Sequence, residues 1–159
     1  YAIQAYSPWL EKDINVLESV QRRAIRQVRG LHGSYEDKLK QCGLTSLKDR
    51  RVRGDLIQTF KIVNQVDNIP VNTFFEMAGD RHSHATRNAV IVGPMVEGEY
   101  IVEANKNFVK HKSKGDIRRN FFSNRVVDKW NSLPIVVKNA KDVNSFKNLH
   151  DDYTKNMPI

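Results

Sequence analysis

The chain has 159 residues, 40% of them apolar and 9% aromatic, and its 26 lysines and arginines outnumber 18 acids for a net charge of +8. That length suits one domain or two small helical lobes, and the composition lies outside the range of disordered chains. The longest apolar runs, at residues 89–92 and 135–137, fall far short of the roughly 20 residues of a membrane helix, so no membrane partner is expected. A single cysteine, Cys42, excludes an internal disulfide and a four-cysteine zinc site, and fits a reducing intracellular setting. Residue 1 is Tyr, and the first ten residues lack the basic start and apolar middle of a signal peptide, so the chain reads as a piece of something longer. The excess of cations favours an anionic partner, nucleic acid first, because each phosphate contact releases counterions.

Ser7-Pro8 precedes "WLEKDINVLESVQRRAIRQVRGL", where Ile14, Leu17, Val20, Ala24 and Val28 recur at helical spacing. This predicts a helix with that face inward and Gly30 as its stop, and it sets Arg22, Arg26 and Arg29 on a stripe away from the apolar face. "SYEDKLKQCG" predicts a short second helix opened by Ser34 and Asp37 and closed at Gly43. "TSLKDRRVRGDLIQTFKIVNQ" predicts a third, with Ser46 and Asp49 at its start and Val52, Leu56, Phe60 and Val63 on one face. Gly54 inside it costs about 1 kcal/mol relative to Ala, which points to close packing or a bend. Short loops between the three imply an antiparallel or crossed cluster.

After Asn68 a connector with one proline holds a brief apolar burst at Phe74, Phe75 and Met77. From residue 81 to 115 helix periodicity vanishes, and β-branched runs broken by Gly93-Pro94 and Gly98 suggest short strands or an extended loop. Asp116 is placed to cap the next helix, in which Phe122, Val126, Trp130 and Leu133 align and which Pro134 closes; the last helix runs from about Asp142 with Phe146 and Leu149 inward. The expected fold is mainly α: a bundle-like helical cluster with a short irregular or β-hairpin insertion around residues 86–105. Its organisation would be a helical segment at 1–66, a connector with candidate strands at 67–115, and a helical segment at 116–159 packed on the first.

No nucleophile elbow, phosphate-binding glycine loop or metalloprotease histidine pair occurs, so no active site is expected within these residues. His82 and His84 offer two metal ligands without a third nearby, and Cys42 beside a helix end reads as a small buried packing group. The cations gather in three places: Arg22, Arg23, Arg26 and Arg29; then Arg50, Arg51 and Arg53; then Lys106, Lys110, Lys112, Lys114, Arg118 and Arg119. These form a candidate phosphate-contacting surface, or else solvated helix faces with partners such as Glu18 four residues before Arg22. In "RRNFFSNRVVDKWNSLP" helical phase assigns Phe122, Val126, Trp130 and Leu133 to the core. Arg118, Arg125 and Lys129 form an adjacent stripe that either snorkels over the core edge or reaches phosphates, and Phe121 points elsewhere.

"SPWLEKDI", "LESVQRRA", "SLKDRRVRGDL" and "WNSLP" followed by "NSFKNL" resemble, in that order, the region after the polymerase core of reverse transcriptases from non-LTR, LINE-type retrotransposons of the Jockey-like kind. The resemblance covers nearly the whole chain apart from residues 91–105. It implies a multidomain enzyme that nicks target DNA and copies its own RNA from the exposed end, using magnesium at a Tyr-Ala-Asp-Asp type motif that these residues do not contain. By that likeness the first helices correspond to the thumb, and Arg22, Arg23, Arg26, Arg50, Arg51 and Arg53 are placed to hold backbone phosphates. The implied partners are template RNA, RNA·DNA hybrid, target DNA and the rest of the polymerase, in the nucleus and in cytoplasmic ribonucleoprotein. Some relatives carry a carboxy-terminal zinc knuckle, which one cysteine cannot form. The rival expectation is a helical protein-interaction module, a host-adopted remnant whose arginines only solubilise it.

Overall fold

The computed structural model describes residues 3–78, 90–91, 102–103 and 106–156. The protein is mainly helical, and it divides into two compact units, Tyr1–Asp55 and Leu56–Ile159, with the division falling inside one helix.

In the first unit, α1 (Glu11–Arg26) opens with Glu11 and Asp13 at its positive end and closes with Arg23 and Arg26 at its negative end, as the helix dipole favours. It stops at Arg26 rather than running on to Gly30, which instead takes a left-handed φ of 84° in the following turn. Its inward face is also turned relative to the apolar periodicity. Ile25 is buried and Ile14, Leu17, Glu18 and Gln21 are half-buried, whereas Val20, Ala24 and Val28 face solvent. The reason is polar: Glu18 and Gln21 are needed inward. The Tyr35 hydroxyl donates to Glu18 Oε1 at 2.6 Å, the Leu47 N–H donates to Glu18 Oε2 at 3.1 Å, and Gln21 Nε2 donates to the Thr45 carbonyl at 3.0 Å. Apolar spacing alone carries no information about such bonds.

The two short-range helix signals are built as the residues suggest. Ser34 and Asp37 make a reciprocal capping box for α2 (Tyr35–Gln41), and these hydrogen bonds hold the Asp37 carboxyl below its usual range. At its other end Gly43 adopts φ 63°, while Leu44 N–H reaches the Leu39 carbonyl at 2.8 Å and Gly43 N–H the Lys40 carbonyl at 3.0 Å, a Schellman closure. Cys42, the C-cap residue, is half-buried rather than fully packed away. Ser46 and Asp49 open α3 (Leu47–Val63). A Cβ on Gly54 would stand 2.8 Å from Ile3 Cδ1, so close packing explains this glycine, and Gln4 Nε2 donates to its carbonyl at 3.3 Å.

In the second unit the rest of α3 buries Leu56, Thr59, Phe60 and Ile62, while Val63 is only half-buried. A 3-10 turn at Val71–Thr73 follows, and then an isolated bridge pairs Met77 with Phe108. Two short strands, β1 (Val90–Ile91) and β2 (Val102–Glu103), pair antiparallel with Val90 opposite Glu103. His82 and His84 lie outside the described residues.

The single helix expected from Asp116 to Pro134 is three: α4 (Asp116–Asn120), α5 (Phe122–Arg125) and α6 (Val127–Asn131). Phe121 breaks the first join with φ −65° and ψ 147°, and its carbonyl accepts from Asn124 and Arg125 at 2.9 and 3.0 Å to start α5. Asp116 caps nothing; Gly115 is the N-cap, and the Asp116 carboxylate instead takes Arg119 Nη1 at 2.9 Å. The inward set survives the breaks, since Phe122, Val126, Trp130 and Leu133 are all buried. α7 (Ile135–Lys138) follows Pro134, and α8 (Val143–Lys155) begins at Asp142, whose carboxylate accepts from Asn144 and Ser145 N–H, each at 2.8 Å. Those bonds hold the Asp142 carboxyl below its usual range. Phe146 is fully buried and Leu149 only half so.

Aromatic rings form the spine of this unit. Phe75 stacks on Phe108 at 4.2 Å between centroids, Phe108 on Trp130 at 5.6 Å, Trp130 on Phe146 at 6.1 Å and Phe146 on Phe60 at 4.5 Å, with Phe122 edge-on to Phe75 at 5.7 Å. Such contacts contribute about 0.5–1.5 kcal/mol each beyond the area they bury.

Candidate nucleic-acid interface

Each unit carries its own basic set. In the first, Arg22, Arg23 and Arg26 are exposed on α1, and Arg29 is exposed in the turn beyond it. Arg22 is partly committed: its guanidinium lies over the Tyr35 ring at 4.8 Å from the centroid. Glu18, the anticipated i,i+4 partner of Arg22, spends its carboxylate on Tyr35 and Leu47 instead. Burial and the Glu18 hydrogen bond push the Tyr35 phenol above its ordinary value.

The cluster opening α3 is less accessible. Arg50, Arg51 and Arg53 are all half-buried; Arg51 Nη2 is shielded from solvent without a hydrogen-bond partner, and Arg53 already has a partner within the protein.

In the second unit the cations sort into held and exposed. Lys110 pairs with Asp128, Arg119 with Asp116, and Arg125 lies against Phe122 while Nη1 donates to the Asn120 carbonyl at 3.0 Å. Lys106 Nζ donates to Asn64 Oδ1 at 3.2 Å. Lys112, Lys114, Arg118 and Lys129 are exposed. Arg118 and Phe121 share an open groove with His111, Ile117, Ser123 and Asn124, about 580 Å³ in volume.

A buried lysine carries no mark in the sequence. Lys138 is only 2% exposed; its ammonium donates to Asn107 Oδ1 at 2.7 Å and to the Asn131 carbonyl at 3.1 Å, and burial pushes its pKa down to about 8. Nothing in "IVVKNAK" distinguishes Lys138 from Lys141, which is exposed. Among the described residues, no three histidine, cysteine or acidic side chains gather to hold a metal, and no helix is long and apolar enough to cross a membrane.

No protein-family model, curated protein or solved structure matches this chain.

Proposed function

We propose that this chain is the nucleic-acid-gripping thumb and carboxy-terminal segment of a non-LTR retrotransposon reverse transcriptase, and that it contributes grip rather than chemistry. The ordered motifs from "SPWLEKDI" to "NSFKNL" carry this reading. Support comes from the exposure of Arg23, Arg26, Arg29, Lys112, Lys114, Arg118 and Lys129, which are accessible to phosphates without unfolding anything. Such contacts position a duplex without reading its sequence. Metal-dependent nucleotidyl transfer would belong to a polymerase core outside these residues.

The deciding measurement is binding of duplex RNA and RNA·DNA hybrid at two salt concentrations. Affinity should fall steeply as salt rises, because several phosphates are neutralised at once. Absence of binding at low salt, or indifference to salt, would sink the proposal.

A second reading, a protein-interaction module, is favoured by one observation: Tyr6, Val16 and Val20 are 78%, 64% and 65% exposed. Isolated apolar residues at the surface are ordinary, but this group adjoins a cleft of about 430 Å³ lined by Tyr6, Pro8, Trp9, Val16 and Leu17. Under the first reading this face would meet the rest of a polymerase. Under the second, its partner is another protein, and binding to hybrid would be absent.

A further inference from the structure

The pair Phe121-Phe122 splits sharply: Phe122 is 3% exposed and Phe121 is 53% exposed. The backbone makes that split possible by leaving the helical conformation at Phe121, so a ring that could have turned toward the core stands outward. Beside it Ile117 is 74% exposed, and the two line the open groove with Arg118 and His111.

The charges around this groove are one-sided. Among the described residues, Asp116 holds Arg119 at 2.9 Å, Asp128 holds Lys110, and Glu76 lies 3.2 Å from His111 Nε2. Lys112 and Lys114, on the segment leading to Gly115, are exposed together with Arg118. The wall adds a hydroxyl from Ser123 and the amide of Asn124, which is 8% exposed with Nδ2 donating to Ser113 Oγ at 3.2 Å. An aromatic face with a cationic surround is the arrangement that binds single-stranded nucleic acid, where bases stack and the backbone follows the charge. An apolar protein segment would find only two apolar side chains among these cations.

We propose that the groove along α4 and α5 receives an unstacked base of a single-stranded RNA or DNA, with Phe121 as the stacking face and Lys112, Lys114 and Arg118 on the flanking phosphates. This rests on the nucleic-acid reading above and goes beyond it by separating a single-strand site from duplex grip.

The test uses the 159-residue chain, labelled RNA and DNA single strands of about ten nucleotides, a single strand of equal length with abasic spacers, and a blunt RNA·DNA hybrid. Phe121→Ala should weaken single-strand binding about 5- to 100-fold while leaving hybrid binding and the melting temperature close to the parent's. Phe121→Trp should bind at least as well as the parent, and Phe121→Leu, which keeps the bulk without the π face, should bind less well even if the alanine variant melts early. The abasic strand should be indifferent to Phe121→Ala. Parent-like single-strand affinity in Phe121→Ala, or an equal loss on the abasic strand, overturns the groove assignment while salt-dependent hybrid binding leaves the grip reading standing. If the parent binds no nucleic acid at low salt, the grip reading fails and the groove assignment fails with it.

Discussion

The side-chain amide of Asn131 closes both main-chain groups of Phe108: Phe108 N–H donates to Asn131 Oδ1 at 2.9 Å, and Asn131 Nδ2 donates to the Phe108 carbonyl at 2.9 Å. The asparagine thus stands where a neighbouring strand would, and it fastens the 106–109 segment to the end of α6. Asn131→Ala leaves a buried N–H and C=O unpaired, at about 1–3 kcal/mol for each group. Urea unfolding should show a loss of about 2–6 kcal/mol; a loss under about 1 kcal/mol would mean that water replaces the amide.

Trp130 reinforces the same junction, donating from Nε1 to the Lys106 carbonyl at 2.6 Å while its ring, 0% exposed, stacks between Phe108 and Phe146. Trp130→Ala should cost about 3–5 kcal/mol, and Trp130→Phe about 1–3 kcal/mol less than that, since it keeps the stack and loses the hydrogen bond. Equilibrium denaturation of both variants separates the two contributions. A parent-like melt for the alanine variant contradicts the burial.

Gln65 closes α3 in the left-handed region at φ 54°, with its N–H on the Ile62 carbonyl at 3.1 Å and Val66 N–H on the Lys61 carbonyl at 2.8 Å. This is the position where glycine is ordinarily found after a helix. Gln65→Gly should therefore stabilise the protein, by about 0.5–1 kcal/mol, despite the greater freedom it gives the unfolded chain. Thermal melts will show the sign directly.

Lys138 makes stability depend on pH in an unusual window. The unfolded lysine titrates near 10.4, whereas the folded one is pushed down to about 8 by burial. Between those values the unfolded chain holds a proton that the folded chain has released, so this group's contribution rises with pH from about 8 to about 10.4 and is lost as pH falls back through 8. Lys138→Met removes the titration. The difference between parent and variant in urea melts should move toward the parent across that interval, and a flat difference would show that the ammonium stays protonated in the fold.

For the grip itself, Arg23→Ala with Arg26→Ala is a cleaner choice than any pair including Arg22, because Arg22 packs over Tyr35. The double variant should lower the salt slope of hybrid binding by about two phosphates. Its stability should change by less than about 1 kcal/mol, the scale of two cations at a helix end. Collapse of the fold would assign both side chains a structural job.

Local chemistry was readable from the residues. Ser34 with Asp37, Gly43, and Asp142 each act within a few positions of themselves, through hydrogen bonds or a φ that only the neighbouring backbone must satisfy. The buried set Phe122, Val126, Trp130 and Leu133 was readable too, because helical phase persists through two short breaks. The outcome at α1 shows the limit. Apolar spacing favoured Val20, Ala24 and Val28, but Glu18 and Gln21 must meet Tyr35, Leu47 and Thr45, residues 17 to 29 positions away, and that requirement turns the helix. Asn131, Lys138 and the split between Phe121 and Phe122 belong to the same class. Their roles depend on which backbone lies across from them, and only tertiary packing decides that, since an amide or an ammonium is buried when a distant carbonyl is there to receive it.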